Sequence, residues 1–502
     1  MEALLAAFAA ALAPQVLLVV VAASVYGLFI GAVPGLTATM GTALLVPLTF
    51  FLEPLAAIGA IVAASTMAIF AGDIPGALLR IPGTPASAAY TDDAYRLTQK
   101  GQAGLALGTN LVCSVLGGLI GVAILVLAAP RIARFSLGFS SYEYFWLALL
   151  GLSCATAVSR GSAVKGGLSI CAGLLISMIG IDIVTGTPRF TFGDTPLIAG
   201  VSIIPVLIGM FAITEILRKC ATPAPASRPE ALRLGALFAG VGGTVWRYKG
   251  GVARSSVLGA FIGALPGAGA DIAAWISYAV AKRFSREPEK FGTGHAEGIV
   301  SASSSNNAAL SGAYVPALVF GIPGDTITAI LIGVLMMKGV TPGPMVFVMD
   351  QGLVGAIFAI FVVANLLLLP LGTVAILLSQ RLLAVPANVL FPIILLFCAI
   401  GAFATNNAYF DIWIMLAVGL LAFALEENGY PLAPMILALI LGPQIEESFM
   451  QSIIKADGHL LAFFSRPIAG TLGVLTLAIW LAVALLALRS GRRAAGAARR
   501  AG

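Results

Sequence analysis

The chain has 502 residues, of which 59% are hydrophobic and only 10% charged, against about 25% charged in an ordinary soluble domain. Mean hydropathy is +1.02, and a soluble globule of this composition would carry a greasy surface. A soluble enzyme, a nucleic-acid binder and a disordered chain are therefore excluded, and the lipid bilayer is the implied surrounding.

The first apolar run begins almost at Met1, with Glu2 as its only early charge, and reads as a retained transmembrane segment because a signal peptide wants a positive start. In chain order, apolar runs cover Leu4 to Gly31, Pro54 to Leu79, Ala103 to Ala129, Tyr144 to Val158, Ala163 to Gly180 and Pro196 to Leu217. After a polar stretch come Ser255 to Ala281, Ile299 to Phe320, Asp325 to Met337, Val354 to Ser379, Pro386 to Phe403, Ile412 to Leu425, Pro431 to Leu441 and Pro467 to Leu488. Several runs are short or broken, so the pattern predicts an all-α polytopic membrane protein of about twelve transmembrane segments.

Charge gives the expected orientation. The net charge is +6, and the basic residues sit between the apolar runs. Residues 218–254 hold Arg218, Lys219, Arg228, Arg233, Arg247, Lys249 and Arg254 against a single acid, Glu230. The tail adds Arg489, Arg492, Arg493, Arg499 and Arg500. The positive-inside rule predicts both segments to be cytoplasmic. The expected organisation is a first repeat half (1–217), a basic cytoplasmic linker (218–254), a second repeat half (255–488) and a basic cytoplasmic tail (489–502).

The halves echo each other. Gly31-Ala-Val-Pro34-Gly35 matches Gly263-Ala-Leu-Pro266-Gly267, 232 residues later. Ile61 to Ser65 matches Ile299 to Ser303, 238 later; Pro75 and Pro82 match Pro316 and Pro323; Lys100-Gly101 matches Lys338-Gly339. Paired Pro/Gly interruptions in two halves point to a secondary-transporter binding site, because helices stop inside the apolar layer and their freed backbone groups need partners there. The halves are expected to be inverted relative to one another, with broken or re-entrant helices. Lys282, Arg283, Arg286 and Lys290 follow the Pro266-Gly267 break. A hairpin there, with arms of about 11–14 residues reaching roughly halfway through the ~30 Å core, keeps both basic stretches on one side.

Polar tips follow each break: Gly35, Thr37 and Thr39; Gly83, Thr84 and Ser87; Gly267, Gly269 and Asp271; Gly324, Asp325 and Thr326. Thr84 before Pro85, and Asp325, suit helix N-caps. Free N–H groups at such starts suit a carboxylate, so capping and substrate binding are both open readings. A carboxylate in an apolar run marks a cation ligand or proton carrier. Asp271 and Asp325, the latter with Thr326, are the ion-coupling candidates, with Na⁺ at Asp325 served by hard oxygen ligands. Ser303, Ser304, Ser305, Asn306 and Asn307 form a polar run that reads either as a substrate surface or as interhelical hydrogen bonding. Arg80, Lys100 and Lys338 read as snorkelling anchors or carboxylate partners.

Absences narrow the chemistry. No CxxC pair occurs among Cys113, Cys154, Cys171, Cys220 and Cys398, no lysine completes a phosphate loop, and there is no HExxH. The aspartates in Ala71-Gly72-Asp73, Phe192-Gly193-Asp194 and Pro323-Gly324-Asp325 lack the preceding glycine of a GxGD intramembrane protease. No catalytic residue, metal cluster or organic cofactor is expected; Na⁺ or H⁺ serves as coupling ion.

The segments Gly31 to Gly108 and Gly259 to Pro344 resemble the large membrane subunit of the tripartite tricarboxylate transporters. The resemblance is carried by Gly263-Ala-Leu-Pro266-Gly-Ala-Gly-Ala-Asp271, the Ser/Asn run and Gly321-Ile-Pro-Gly-Asp325-Thr. It implies a permease of the bacterial inner membrane that imports di- or tricarboxylates such as citrate, driven by an ion gradient. It further implies a small membrane subunit of about four spans and a periplasmic solute-binding protein as partners. The family's Asp-Gly-Tyr stretch is replaced here by Asp92-Asp93-Ala94-Tyr95. A single-component carrier and an intramembrane enzyme are the rival readings.

Overall fold

The computed structural model describes residues 2–33, 36–158, 163–182, 185–221, 234–267, 269–383 and 387–482. It is 80% helical, and among the described residues the only β pairing is the two-residue ladder of Gly180–Ile181 with Pro188–Arg189. Among the described residues six helices are long and apolar enough to cross a membrane: Pro14–Ala32, Pro54–Leu79, Ala103–Ser136, Gln351–Leu377, Tyr409–Glu427 and Leu432–Lys455. Of the other apolar runs, Pro196 to Leu217 and Ser255 to Ala281 are divided into shorter helices, while Ala163–Ser177 and Thr326–Met337 are continuous but short.

The chain divides into two compact units. The larger comprises Met1–Arg134 and Ile204–Phe423. Its principal helices are α1 (Pro14–Ala32), α2 (Ala38–Thr49), α3 (Pro54–Ala71), α4 (Asp73–Leu79), α5 (Thr91–Gln99), α6 (Ala103–Ser136), α7 (Lys249–Gly263), α8 (Gly269–Phe284), α9 (Ala296–Phe320), α10 (Thr326–Met337) and α11 (Gln351–Leu377).

Local chemistry sets the breaks. Val33 precedes a proline and turns extended, ending α1. Thr37 then caps α2 by accepting from the Met40 N–H at 3.1 Å. The long run Pro54 to Leu79 is interrupted at Gly72, because Pro75 cannot donate to the Ala71 carbonyl one turn back. The run Ser255 to Ala281 breaks at the expected hairpin. Its first arm starts at Lys249, six residues before the predicted start, so the arms have 15 and 16 residues, about 22–24 Å each.

The sequence matches coincide with matched backbone devices. Ile81 N–H donates to the Pro75 carbonyl at 3.3 Å, and Ile322 N–H donates to the Pro316 carbonyl at 3.2 Å. Both close helix ends whose left-handed residues are Arg80 and Gly321. Gln102 N–H reaches the Leu97 carbonyl at 2.9 Å, and Val340 N–H the Leu335 carbonyl at 2.9 Å, over Gly101 and Gly339. Helix pairs match as well. Gly27 and Gly31 let α1 lie directly on Ala64 and Ala68 of α3; Gly259 and Gly263 let α7 lie on Ser305 and Ala309 of α9. A Cβ on any of these glycines would collide with the facing carbonyl oxygen, so small residues at i, i+4 set the closeness of both pairs.

The smaller unit comprises Phe135–Ile203 and Ala424–Gly502. Ser141–Val158, Ala163–Ser177, Leu432–Lys455 and Pro467–Ala482 are its helices of 15 residues or more. Trp146 and Phe463 centre an aromatic core with Tyr142, Phe145 and Phe449. The Trp146 indole N–H donates to the Phe463 carbonyl at 2.9 Å. Arg189 grips Glu446 through both guanidinium nitrogens at 2.6 and 3.0 Å, with Asp182 at 3.3 Å.

Candidate functional site

The breaks meet within the larger unit. The Thr39 and Thr326 hydroxyls lie 3.0 Å apart although 287 residues separate them in sequence. Gly267 N–H donates to the Gly324 carbonyl at 2.8 Å, which ties the α7–α8 tip to the α9–α10 tip. Gly269 holds a left-handed φ of 57°, and a Cβ on it would sit 2.7 Å from the Asp325 Cβ. Only glycine satisfies both the conformation and the contact.

Asp325 caps α10 in a reciprocal box. Thr328 N–H donates to Asp325 Oδ1 at 2.8 Å, and Asp325 N–H donates to Thr328 Oγ1 at 2.9 Å. The first half repeats the device with hydroxyls: Thr84 N–H donates to Ser87 Oγ and Ser87 N–H to Thr84 Oγ1, both at 3.1 Å. The predicted N-cap at Thr84 thus exists, but only a three-residue 3₁₀ turn, Ser87–Ala89, follows it. Asp325 starts a twelve-residue helix.

These tips enclose a polar cavity of about 50 Å³, lined by Thr37, Ala38, Thr39, Ile69, Thr84, Pro85, Ala270, Asn306, Asp325, Thr326 and Ile327. Six of the residues expected from the sequence line it: Thr37, Thr39, Thr84, Asn306, Asp325 and Thr326. The first turns of α2, α8 and α10 all reach it, through Ala38, Ala270 and Thr326. Three helix starts therefore bring their positive dipole ends to one small space. Neither amide atom of Asn306 has a protein partner. A larger groove of about 320 Å³, lined mostly by apolar residues such as Val126, Phe347 and Phe358, offers no comparable convergence of donors.

Other expected residues are placed elsewhere. Ser304 bonds back to the Val300 carbonyl at 2.6 Å, and Ser305 donates to the Ala273 carbonyl at 3.1 Å while accepting from Ser277 at 2.8 Å. Ser305 thus links α9 to α8, whereas the Ser304 bond stays within α9. Asn307 is buried with no side-chain partner, outside the cavity lining. Ser87, Gly83, Gly267, Gly269 and Gly324 shape the tips behind the wall. Gly35 and the Asp271 side chain lie outside the described residues, as do residues 222–233 of the linker and the tail.

The basic candidates serve as ties. Arg80 pairs with Asp92 at 2.8 Å. Lys100 donates to the Thr293 carbonyl at 2.8 Å. Lys338 donates to the Phe50 and Leu52 carbonyls at 2.8 and 2.6 Å. Among the described residues no cationic side chain lines the cavity, so the helix starts are the positive element of its wall.

Sequence reasoning missed Asp93. Its carboxylate is wholly buried. Oδ1 accepts from the backbone N–H of Gly292, Gly294 and His295 at 2.8, 2.8 and 2.9 Å, and Oδ2 from the Tyr278 hydroxyl at 2.7 Å. It pins α5 to the loop that leads into α9.

The profile of the "Tripartite tricarboxylate transporter TctA family" matches residues 17–437. The chain is 34% identical over 473 residues, 93% of its own length and 92% of the other's, to the "Uncharacterized 52.8 kDa protein in TAR-I ttuC' 3'region" of Agrobacterium vitis. It is 36% identical over 234 residues, 47% of its length and 97% of the other's, to the "Uncharacterized protein in TAR-II ttuC' 3'region" of the same organism. No solved structure matches it. With its polar cavity walled by interrupted helices in an apolar, multi-pass chain, the protein belongs to the TctA family of tripartite tricarboxylate transporters.

Proposed function

We propose that the chain is the permease subunit of a binding-protein-dependent system that imports di- or tricarboxylates across the bacterial inner membrane, driven by an ion gradient. One observation carries this reading: three helix N-termini and the Thr37, Thr39, Thr84 and Thr326 hydroxyls converge on one cavity. Such a surface offers a carboxylate several N–H and O–H donors without a fixed cation. At about 50 Å³ the space holds a few waters by the usual measure of about 10–15 Å³ for one. A tricarboxylate needs more room, so substrate entry opens the tips. Asp325, with one oxygen engaged in its cap, and Thr326 are the cation ligands, for Na⁺ or H⁺.

The matched caps and helix pairs support two related halves; the proposed arrangement has them inverted and joined by the basic linker, with about twelve crossings. A small membrane subunit and a periplasmic solute-binding protein complete the system. The test is uptake of radiolabelled citrate or succinate into vesicles holding all three components, with and without a sodium gradient. Gradient-dependent accumulation that needs the binding protein is the expected result. Uptake unchanged by omitting the binding protein would leave a single-component carrier, and no uptake of any carboxylate would sink the reading.

A further inference from the structure

Asp73 is 3% exposed, at the first position of α4, and only the Tyr90 and Asn110 side chains approach its carboxylate, neither in well-formed hydrogen-bond geometry. The other carboxylates buried in this unit are served, among the described residues. Asp93 has its four donors, Glu215 has Arg218 at 2.9 Å, and Asp411 has the Asn406 amide at 2.8 Å. An ionised carboxylate left without a counter-charge in an apolar interior is among the costliest groups a protein can bury.

Its surroundings are those of a small ion. Tyr90 and Asn110 are its polar neighbours, and Tyr90 in turn adjoins Asn306. The Tyr90 hydroxyl and both Asn306 amide atoms also lack partners. Asn110 Oδ1 accepts from Ser114 Oγ at 3.3 Å; with the Tyr90 hydroxyl it gives neutral oxygens beside the carboxylate, which suit a monovalent cation. The site is joined to the cavity twice. Asn306 lines the cavity wall, and Gly83 N–H donates to the Gly72 carbonyl at 3.0 Å, next to Asp73 on one side and Thr84 on the other. A charge at Asp73 is therefore felt one residue behind the substrate wall.

We infer that Asp73 is a second cation site, holding one monovalent cation, Na⁺ or H⁺, with Tyr90, Asn110 and Asn306. The inference rests on the transporter reading for its role, since the cation would be one that moves with the substrate. Of the titratable side chains on neighbouring elements, Tyr90 adjoins the site. Tyr26 is bonded to the Gly41 carbonyl, Asp93 to Tyr278, and Arg80 to Asp92. None supplies a positive charge to Asp73.

The test counts cations on the purified full chain without substrate, so it stands or falls separately from uptake. Equilibrium binding of radioactive sodium is measured on wild type and Asp73→Asn, and bound protons are counted by indicator titration between about pH 5 and pH 9. One fewer sodium per chain in the variant supports the site as a Na⁺ site. Equal sodium but one fewer titrating proton supports it as a proton site. Equal counts of both in the two proteins overturn the inference. If Asp73→Asn does not fold, Tyr90→Phe keeps the carboxylate and removes one ligand. A several-fold weaker sodium half-saturation, or a displaced proton step, is then expected, and wild-type behaviour again overturns it.

Discussion

Replacing Asp93 with Ala removes the acceptor for three backbone donors and one hydroxyl at once. The His295 N–H is buried, whereas Gly292 and Gly294 are partly exposed and can recruit water. An unpaired buried donor costs about 1–3 kcal/mol, and a rehydrated one less. Counting His295 in full and the other three at a fraction gives a loss of roughly 3–4 kcal/mol. Asp93→Asn keeps one acceptor oxygen for the loop and loses the one facing Tyr278, for about 1–2 kcal/mol. Thermal melting of the purified full chain reads the difference. At roughly 1–2 °C per kcal/mol for a unit of this size, Asp93→Ala should melt several degrees low and Asp93→Asn about half as far. Limited proteolysis should show the loop at Gly292–His295 newly cleavable in the Ala variant. An Ala variant that melts with wild type, or an Asn variant as damaged as the Ala one, would refute the reasoning that backbone capture by Oδ1 is what holds this loop.

The helix-pair contacts predict that Gly31→Leu or Gly263→Leu forces its pair apart and costs about 3 kcal/mol or more in a melt. Gly167→Ala, in a helix with nothing within 4 Å of the added Cβ, should be neutral or gain up to about 1 kcal/mol. Arg80 sits at φ 61°, a conformation that costs a side-chain-bearing residue about 1–2 kcal/mol. Arg80→Gly should therefore raise the melting temperature slightly, since its exposed pair with Asp92 contributes little, and Arg80→Val should lower it. Asp325→Asn should leave folding nearly intact, because Asn caps as well as Asp, while cation dependence of uptake weakens; unchanged ion dependence would remove Asp325 from that role. Arg189→Lys gives up the two-pronged grip on Glu446 and should cost about 1–2 kcal/mol in the same melt.

Composition and hydropathy determined the class without help: a multi-pass helical chain, with the interruptions at Pro34-Gly35, Pro75, Pro266-Gly267 and Pro323-Gly324 marking where helices stop. Those features are local, since a missing N–H or an absent Cβ acts within one turn. The caps at Thr84 and Asp325 were legible for the same reason. Which tips meet was not legible in the spacing. Thr39 and Thr326, or Gly267 and Gly324, come together only through packing of α1 on α3 and α7 on α9, set by glycines whose closeness shows only against a partner. The Ser/Asn run looked uniform in sequence, yet one turn of helix divides it. Asn306 faces the cavity, while Ser304 and Ser305 face other helices. Asp73 and Asp93 look alike as acids near an apolar run. Tertiary structure gives one four donors and leaves the other two loosely placed neighbours, and a carboxylate's role depends on the partners that distant segments bring to it.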